Sequence, residues 1–324
     1  MRLLRFIARR LVKGVFVLLA IVVLNFGLIR AAPGDPAQVM AGEAGAADEM
    51  FIQQLRERFG LDKPLYEQLA IYVGGILTLD LGYSYRQQMP VSQLIFDRLP
   101  ATLLLTGTAF FISLLLGVLL GALAAARAGS WTDSAITIFA LIFYATPLFW
   151  VALMAILLFS VTLGWLPAFG IETVGAGESG LAGVLDLLEH LVLPATTLGL
   201  FFMAVYARMT RASMLEVAQL DYVKTARAKG LPPGRVTRAH VLRNALLPVL
   251  TLAGIQAGQI VGGAVLTETV FAWPGIGRLM FDALLQRDYN LLLGIFFVSS
   301  AMVILFNLIT DLLYRVVDPR IEVG

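Results

Sequence analysis

Six runs of about 20 mostly apolar residues, near 11–30, 101–126, 135–163, 190–209, 247–268 and 290–314, decide what this chain can fold into. A helix of that length rises roughly 30 Å, the thickness of a bilayer's hydrocarbon core. No water is present there to satisfy backbone N–H and C=O groups, so an open strand or irregular run is excluded and a helix is required. The expected fold is all-α, a polytopic membrane protein with six transmembrane helices. Composition agrees, because 14% of the 324 residues are charged, against roughly 25% in ordinary soluble domains.

Arg2, Arg5, Arg9 and Arg10 before the first run imitate a secretory signal. The apolar stretch from Gly14 to Ile29 is long for a signal core, and it reads as an uncleaved first helix. Residues 31–99 are mixed, with Pro33, Gly34, Pro36 and many acids, and FGLDKPLYEQLAIYV within them reads as a short amphipathic helix outside the membrane. The expected division is 1–99, a first span plus an extracytoplasmic subdomain; 100–316, a five-helix core with a loop at about 214–246; and 317–324, a cytoplasmic tail. An even number of crossings puts the N-terminus, the 127–134 and 208–246 loops and the tail on one side. Those segments carry 16 of the 24 basic residues and 6 of the 22 acids, and the excess of Lys and Arg marks that side as cytoplasmic. Both termini are therefore expected in the cytoplasm.

The loop sequence DYVKTARAKGLPPGRV (221–236) lies in a stretch from Arg208 to Arg243 with eight basic residues. Each would cost roughly 2.5–3.5 kcal/mol at the centre of a span, so the segment stays outside. Asp221 reads as an N-cap, 222–229 as two helical turns and Gly230 as the left-handed residue after them, while Pro232 and Pro233 stop continuation. A second short helix, about 235–246, leads to Leu247-Pro248 at the start of the fifth span. Tyr222, Val223, Ala226 and Gly230 share one small, mildly apolar face, with Lys224, Arg227 and Lys229 solvated or meeting acids. Three roles fit such a rod: lying on anionic headgroups, satisfying the positive-inside rule alone, or docking in a groove of a cytoplasmic partner.

Several chemistries are disfavoured. The chain has no cysteine and two histidines, which removes a thiolate metal site, and no His-Glu-x-x-His is present; no metal site and no catalytic residue are assigned. Lone interfacial positions are expected for His190 and His240. The net charge of +2 does not suggest nucleic acid. Gly-Lys never occurs, so the phosphate-cradling Gly-x4-Gly-Lys-Ser/Thr loop is absent and the chain itself holds no nucleotide. Gly177-Glu178-Ser179-Gly180 matches the Gly-x-Ser-Gly of rhomboid proteases, yet it sits in a Gly-rich outer loop with no histidine on a later span. A secondary transporter or channel needs ionisable residues within its spans, and these are scarce here; Asp311 lies near the end of the sixth.

The stretch DYVKTARAKGLPPGRVTRAHVLRNALLPV resembles the cytoplasmic coupling loop of permease subunits of binding-protein-dependent ABC importers of the dipeptide/oligopeptide/nickel class. GGAVLTETVFAWPGIGRLMFDALLQRDYN (262–290), HLVLPATTLGL (190–200), MRLLRFIARRL with APGDP, and GYSYRQQMPVSQLIFDRLPATLLLT (82–106) resemble that class in the same order. The general importer motif begins Glu-Ala-Ala, and here Lys224, Thr225 and Ala226 stand in its place while Gly230 is kept. The resemblance implies a type I ABC importer permease fold in the inner membrane. It also implies a second homologous permease, two ATP-binding subunits that hold ATP and Mg, and an extracytoplasmic solute-binding protein, with no cofactor in this chain. By the same resemblance Asp221, Tyr222, Ala226, Arg227, Ala228, Lys229 and Gly230 form the helix that meets the ATPase.

On the fifth span, Gly254, Gly258 and Gly262 recur every four residues and leave a flat stripe for another backbone. Contact within the subunit and contact with the second permease both fit. Gln256 and Gln259 fit either solute contact or an interhelical hydrogen bond. Glu268 and FAWPGIGRLMF are expected near the outer end of that span, with Trp273 in the aromatic belt and Pro274-Gly275 in a turn.

Overall fold

The computed structural model describes residues 2–31, 37–38, 41, 48–58, 62–84, 86–175 and 180–317; some side chains within these, 257–263 and Asp311 among them, lie outside that description. Among the described residues the chain is all-α apart from one antiparallel pair, β1 (Tyr83–Ser84) and β2 (Met89–Pro90), in which Tyr83 faces Pro90. Before the pair come α1 (Arg2–Ala31), α2 (Glu49–Arg58) and α3 (Leu65–Leu77). The last is the short helix expected outside the membrane, and the Pro64 carbonyl accepts its first N–H bonds, from Glu67 and Gln68, at 3.0 and 3.1 Å.

After the pair follow α4 (Val91–Ala126), α5 (Trp131–Ala145), α6 (Leu148–Thr162), α7 (Leu181–Val217), α8 (Asp221–Ala228), α9 (Arg243–Val270), α10 (Ile276–Gln286) and α11 (Tyr289–Val317). Among the described residues four helices are long and apolar enough to cross a bilayer, five when the bent pair α5 and α6 counts as one span. The expected fifth span, 247–268, falls inside α9. The Gly177-Glu178-Ser179 part of the outer-loop motif and the tail residues 318–324 lie outside the described residues.

Three expectations are corrected. The run 135–163 is not one straight helix, because α5 and α6 meet at 103°. Pro147 disfavours the helical conformation at the residue before it, and Thr146 is extended at ψ 135°. Residues 101–126 and 190–209 are only the apolar parts of longer helices: α4 begins earlier, at Val91, and passes through Pro100, and α7, 37 residues long, extends beyond both ends of its run and passes through Pro194. Their polar flanking turns read as loops by hydropathy, yet they keep helical hydrogen bonding. Finally, no separate second helix follows α8. Pro233–Arg235 leads into a π-helical stretch, Val236–Leu242, and Leu242 and Arg243 are both right-handed helical, so the backbone runs without a break into α9 past Pro248.

The chain divides into two compact units, one of Met1–Thr102 with Pro274–Leu308, the other of Leu103–Trp273 with Ile309–Gly324. In the first, Leu81, Val91, Ile95, Leu279, Leu291 and Ile295 belong to one buried cluster. Asp288 accepts an N–H from Leu291 at 3.1 Å in the first turn of α11 and a hydroxyl proton from Ser84, which ties the β1 strand to that helix. In the second unit α4 and α7 touch backbone to backbone at glycines. A Cβ on Gly117 would lie 2.4 Å from Tyr206 Cβ, and one on Gly121 would lie 2.5 Å from the Ala207 carbonyl oxygen. Small residues four apart are how helices approach closely in lipid, where no water drives them together.

Candidate functional site

The short rod expected in the basic loop is α8. Its N-cap is Leu220, in an extended conformation with no side-chain cap, and Asp221 is the first helical residue. That corrects the expected Asp221 cap: its carboxylate is 96% exposed and pairs with Lys224 at 2.8 Å. It still sits in the first turn, where the helix dipole favours negative charge. The other end follows expectation. Gly230 has φ +77°, its N–H donates to the Arg227 carbonyl at 2.9 Å, and the Leu231 N–H reaches the Ala226 carbonyl at 3.4 Å. Those two bonds close the last turn in the way a left-handed residue after a helix allows.

The structure separates the residues expected on one apolar face. Val223 is fully buried and Ala226 is 5% exposed, both within a cluster holding Met214, Val236, Val241 and Ala245 and flanked by Ala122, Ala125, Val217 and Ala218. The apolar side of α8 is thus seated on the ends of α4 and α7 and on the approach to α9. Tyr222 stays 41% exposed, its hydroxyl donating to the His240 carbonyl at 3.2 Å and accepting from Asn244 at 3.0 Å, so it laces α8 to α9. Asp221, Lys224, Arg227, Ala228 and Lys229 face outward. Among the described residues Arg227 and Lys229 have no carboxylate partner. What α8 offers to another molecule is a compact, mostly basic surface on a rigid seat.

One contact near the seat carried no signal in the sequence pattern. The guanidinium of Arg211, on α7, meets the carboxylate of Asp133, in the first turn of α5, with Nε on Oδ1 at 2.7 Å and Nη2 on Oδ2 at 2.8 Å. The Gly129 N–H adds a bond to Oδ2 at 2.9 Å, and Ser130 caps α5 by accepting from the Asp133 N–H. One turn earlier on α7, Arg208 lies over the ring of Tyr144 of α5, 4.6 Å from its centroid. Phe201 of α7 stacks on that ring at 6.2 Å.

Of the stripe on α9, Gly254 is buried and its carbonyl accepts the Thr310 hydroxyl of α11 at 3.3 Å, a contact inside the chain. Gly258, Gln259 and Gly262 are helical, and their side-chain surroundings lie outside the described residues. Gln256 is half-buried, and among the described residues its buried Oε1 has no hydrogen-bond partner. The close helix contact at Gly117 and Gly121 was missed, although the small-x3-small spacing of GVLLG signals it. Trp273 is not in an aromatic belt: it is fully buried, its backbone N–H on the Glu268 carbonyl at 2.8 Å. Glu268 is itself fully buried. His190 is not a lone interfacial residue either, since it is buried with Nδ1 2.8 Å from the Asp186 carbonyl. Asp186 in turn accepts from the backbone N–H and the hydroxyl of Thr173.

Residues 117–323 match the family described as binding-protein-dependent transport system inner membrane component, and residues 3–106 match the N-terminal region of the membrane component of such systems. The chain is 44% identical to the di/tripeptide transport system permease protein DppB of Pseudomonas aeruginosa (strain UCBPP-PA14), over 99% of each chain. It is 42% identical to the dipeptide transport system permease protein DppB of Escherichia coli (strain K12), again over 99% of each. The oligopeptide transport system permease protein AppB of Bacillus subtilis (strain 168) is 41% identical over 98% of this chain and 99% of that one. Among solved structures, an inward-facing form of the MetNI methionine ABC transporter superposes with a TM-score of 0.55 at 20% identity, covering 70% of this chain and 97% of the other. That likeness concerns the fold.

Proposed function

Because this chain belongs to the family of binding-protein-dependent transport system inner membrane components, we propose that it forms half of the translocation path for peptides or a similar small solute. It works beside a second homologous permease. Residues 1–99 supply a first span that crosses from the cytoplasm and an extracytoplasmic subdomain facing the binding-protein side, residues 100–316 form the permease core with the coupling loop at about 214–246, and 317–324 are a cytoplasmic tail. Two separate ATP-binding subunits supply the energy and hold ATP and Mg, and an extracytoplasmic solute-binding protein delivers the cargo. The relatives' names, as di- and tripeptide, dipeptide and oligopeptide transport permeases, support the solute class.

In this reading α8 is the coupling helix. The observation that carries it is the division of its faces, with Val223 and Ala226 consumed by the chain's own seat and Arg227, Ala228 and Lys229 turned outward. A helix needed only for charge balance requires no such seat. Closure of the ATPase pair pushes on the outward face, and the buried face hands the displacement to α4, α7 and α9. Ala226 and Gly230 act by holding the rod, Arg227 and Lys229 by contact, and Tyr222 by tying the rod to α9. Gly254, Gln256, Gly258, Gln259 and Gly262 are proposed to serve helix packing, with the two glutamines available to the path. A switch of this kind needs two packings of the same helices, each favoured by a different ligand state.

The test is the complete transporter in proteoliposomes. Gly230→Pro forces φ near −65° where +77° is required and deletes the N–H bond to Arg227; Arg227→Glu reverses the outward charge. Each is expected to lower binding-protein-stimulated hydrolysis and uptake together by about tenfold, the effect of losing roughly 1.4 kcal/mol of coupling. Undiminished hydrolysis and uptake in both variants removes the coupling role.

A further inference from the structure

We propose that Asp133 and Arg211 are a positioning pair that makes α5, the first half of the broken span, follow the coupling loop through the transport cycle. The proposal rests on the coupling reading of α8.

The seat of α8 is built from the ends of α4 and α7 and the approach to α9, and the cluster that forms it contains no residue of α5. Movement of the seat therefore reaches α5 by another route. Arg211 supplies one: it lies one turn before Met214, which is buried in the seat, and it grips the carboxylate at the first turn of α5 with two parallel bonds of 2.7 and 2.8 Å. A two-pronged guanidinium–carboxylate contact fixes angle as well as distance, which a single ammonium does not. The carboxylate side chain is 7% exposed, so it has little water to fall back on when the arginine is removed. Further along α5, Tyr144 is held against the same helix by Arg208 and Phe201.

The far end of α5 is free to hinge. Immediately beyond Tyr144 the helix stops at Ala145, Thr146 is extended, and α6 leaves at 103°. A short helix clamped to α7 at both ends and followed by a break moves as a rigid piece with α7, while α6 absorbs the change at Thr146–Pro147. A sequence able to bury an apolar pair here would hold the two helices together as firmly. An ion pair adds a defined register between the start of α5 and the last turns of α7.

The natural chain has no cysteine, so nitroxide labels at Ile138→Cys on α5 and Gln219→Cys beside α8 are site-specific, and both positions are exposed. Their separation is measured by pulsed EPR in the complete transporter, first without nucleotide and then with ATP under arrested hydrolysis. In the parent the two separations are expected to agree within about 2 Å, the scale of a small helix shift. In Asp133→Asn and Arg211→Gln they are expected to differ by several ångström, with hydrolysis retained. A parent whose separation itself changes by several ångström, or variants that match the parent, overturns the proposal. Should these variants fail to assemble, Arg211→Lys decides, since it leaves a cation beside Asp133 but only one prong: a widened change supports the pair and a parent-like one refutes it. Failure of the coupling reading is seen separately, as unaltered hydrolysis and uptake in Arg227→Glu.

Discussion

Gly121 has no room for a side chain. A Cβ there would meet the Ala207 carbonyl oxygen at 2.5 Å and Thr210 Cβ at 2.7 Å, whereas one at Gly107, on the same helix, meets nothing within 4 Å. Backbone cannot swing aside as a flexible side-chain end does, so the cost falls on the separation of α4 and α7. Gly121→Ala is expected to destabilise by about 1–3 kcal/mol, the range for overpacking a filled contact, and to lower the unfolding temperature in detergent, while Gly107→Ala leaves it unchanged. Equal behaviour of the two variants would show that the close crossing does not limit stability. The same scale explains Gly230. Nothing crowds it, and its importance lies wholly in a φ of +77° that other residues reach only at a cost of roughly 1–2 kcal/mol. The Gly254 stripe and the GVLLG spacing look alike in the sequence; what separates them is which partner helix lies opposite.

At the scale of elements, α8 and the π-helical stretch Val236–Leu242 act together. A π turn places more residues per turn than an α turn, and this one sets the rotation at which Val236, Val241 and Ala245 meet Val223 and Ala226. Deleting exposed Arg238 turns everything before it by about 100° relative to α9. Helix content by circular dichroism is expected to stay within error while stimulated ATP hydrolysis is lost; retained hydrolysis would show that the π stretch has no bearing on the seat. The C-terminal end of α8 was legible from Gly230, Pro232 and Pro233, since backbone chemistry there is local, whereas its N-terminal residue was misread by one position because Asp221 carries the usual capping side chain. The break between α5 and α6 was signalled by Pro147 alone, and hydropathy hid it because 135–163 is apolar on both sides of the bend. The π stretch had no legible signal: VTRAHVL contains no residue that excludes ordinary α-helix.

For the molecule as a whole, sidedness is the property that joins sequence to function. Basic residues cluster on the side of α8, so single cysteines at Lys229 and Lys63, both exposed, are expected to differ. A membrane-impermeant maleimide applied to spheroplasts labels Lys63→Cys and spares Lys229→Cys until the membrane is opened. The reverse pattern would invert the chain and place α8 out of reach of any cytoplasmic ATPase. The sequence by itself determined that the chain is helical, where its apolar runs lie and that a short rod closed by Gly230 interrupts them, because a bilayer core accepts few backbone conformations and turn chemistry acts over a few residues. Only the tertiary structure decided which face of that rod is free, which glycines touch and that Arg211 grips a carboxylate 78 residues away. Those outcomes depend on how distant segments meet, and no local rule of hydropathy or capping encodes the meeting.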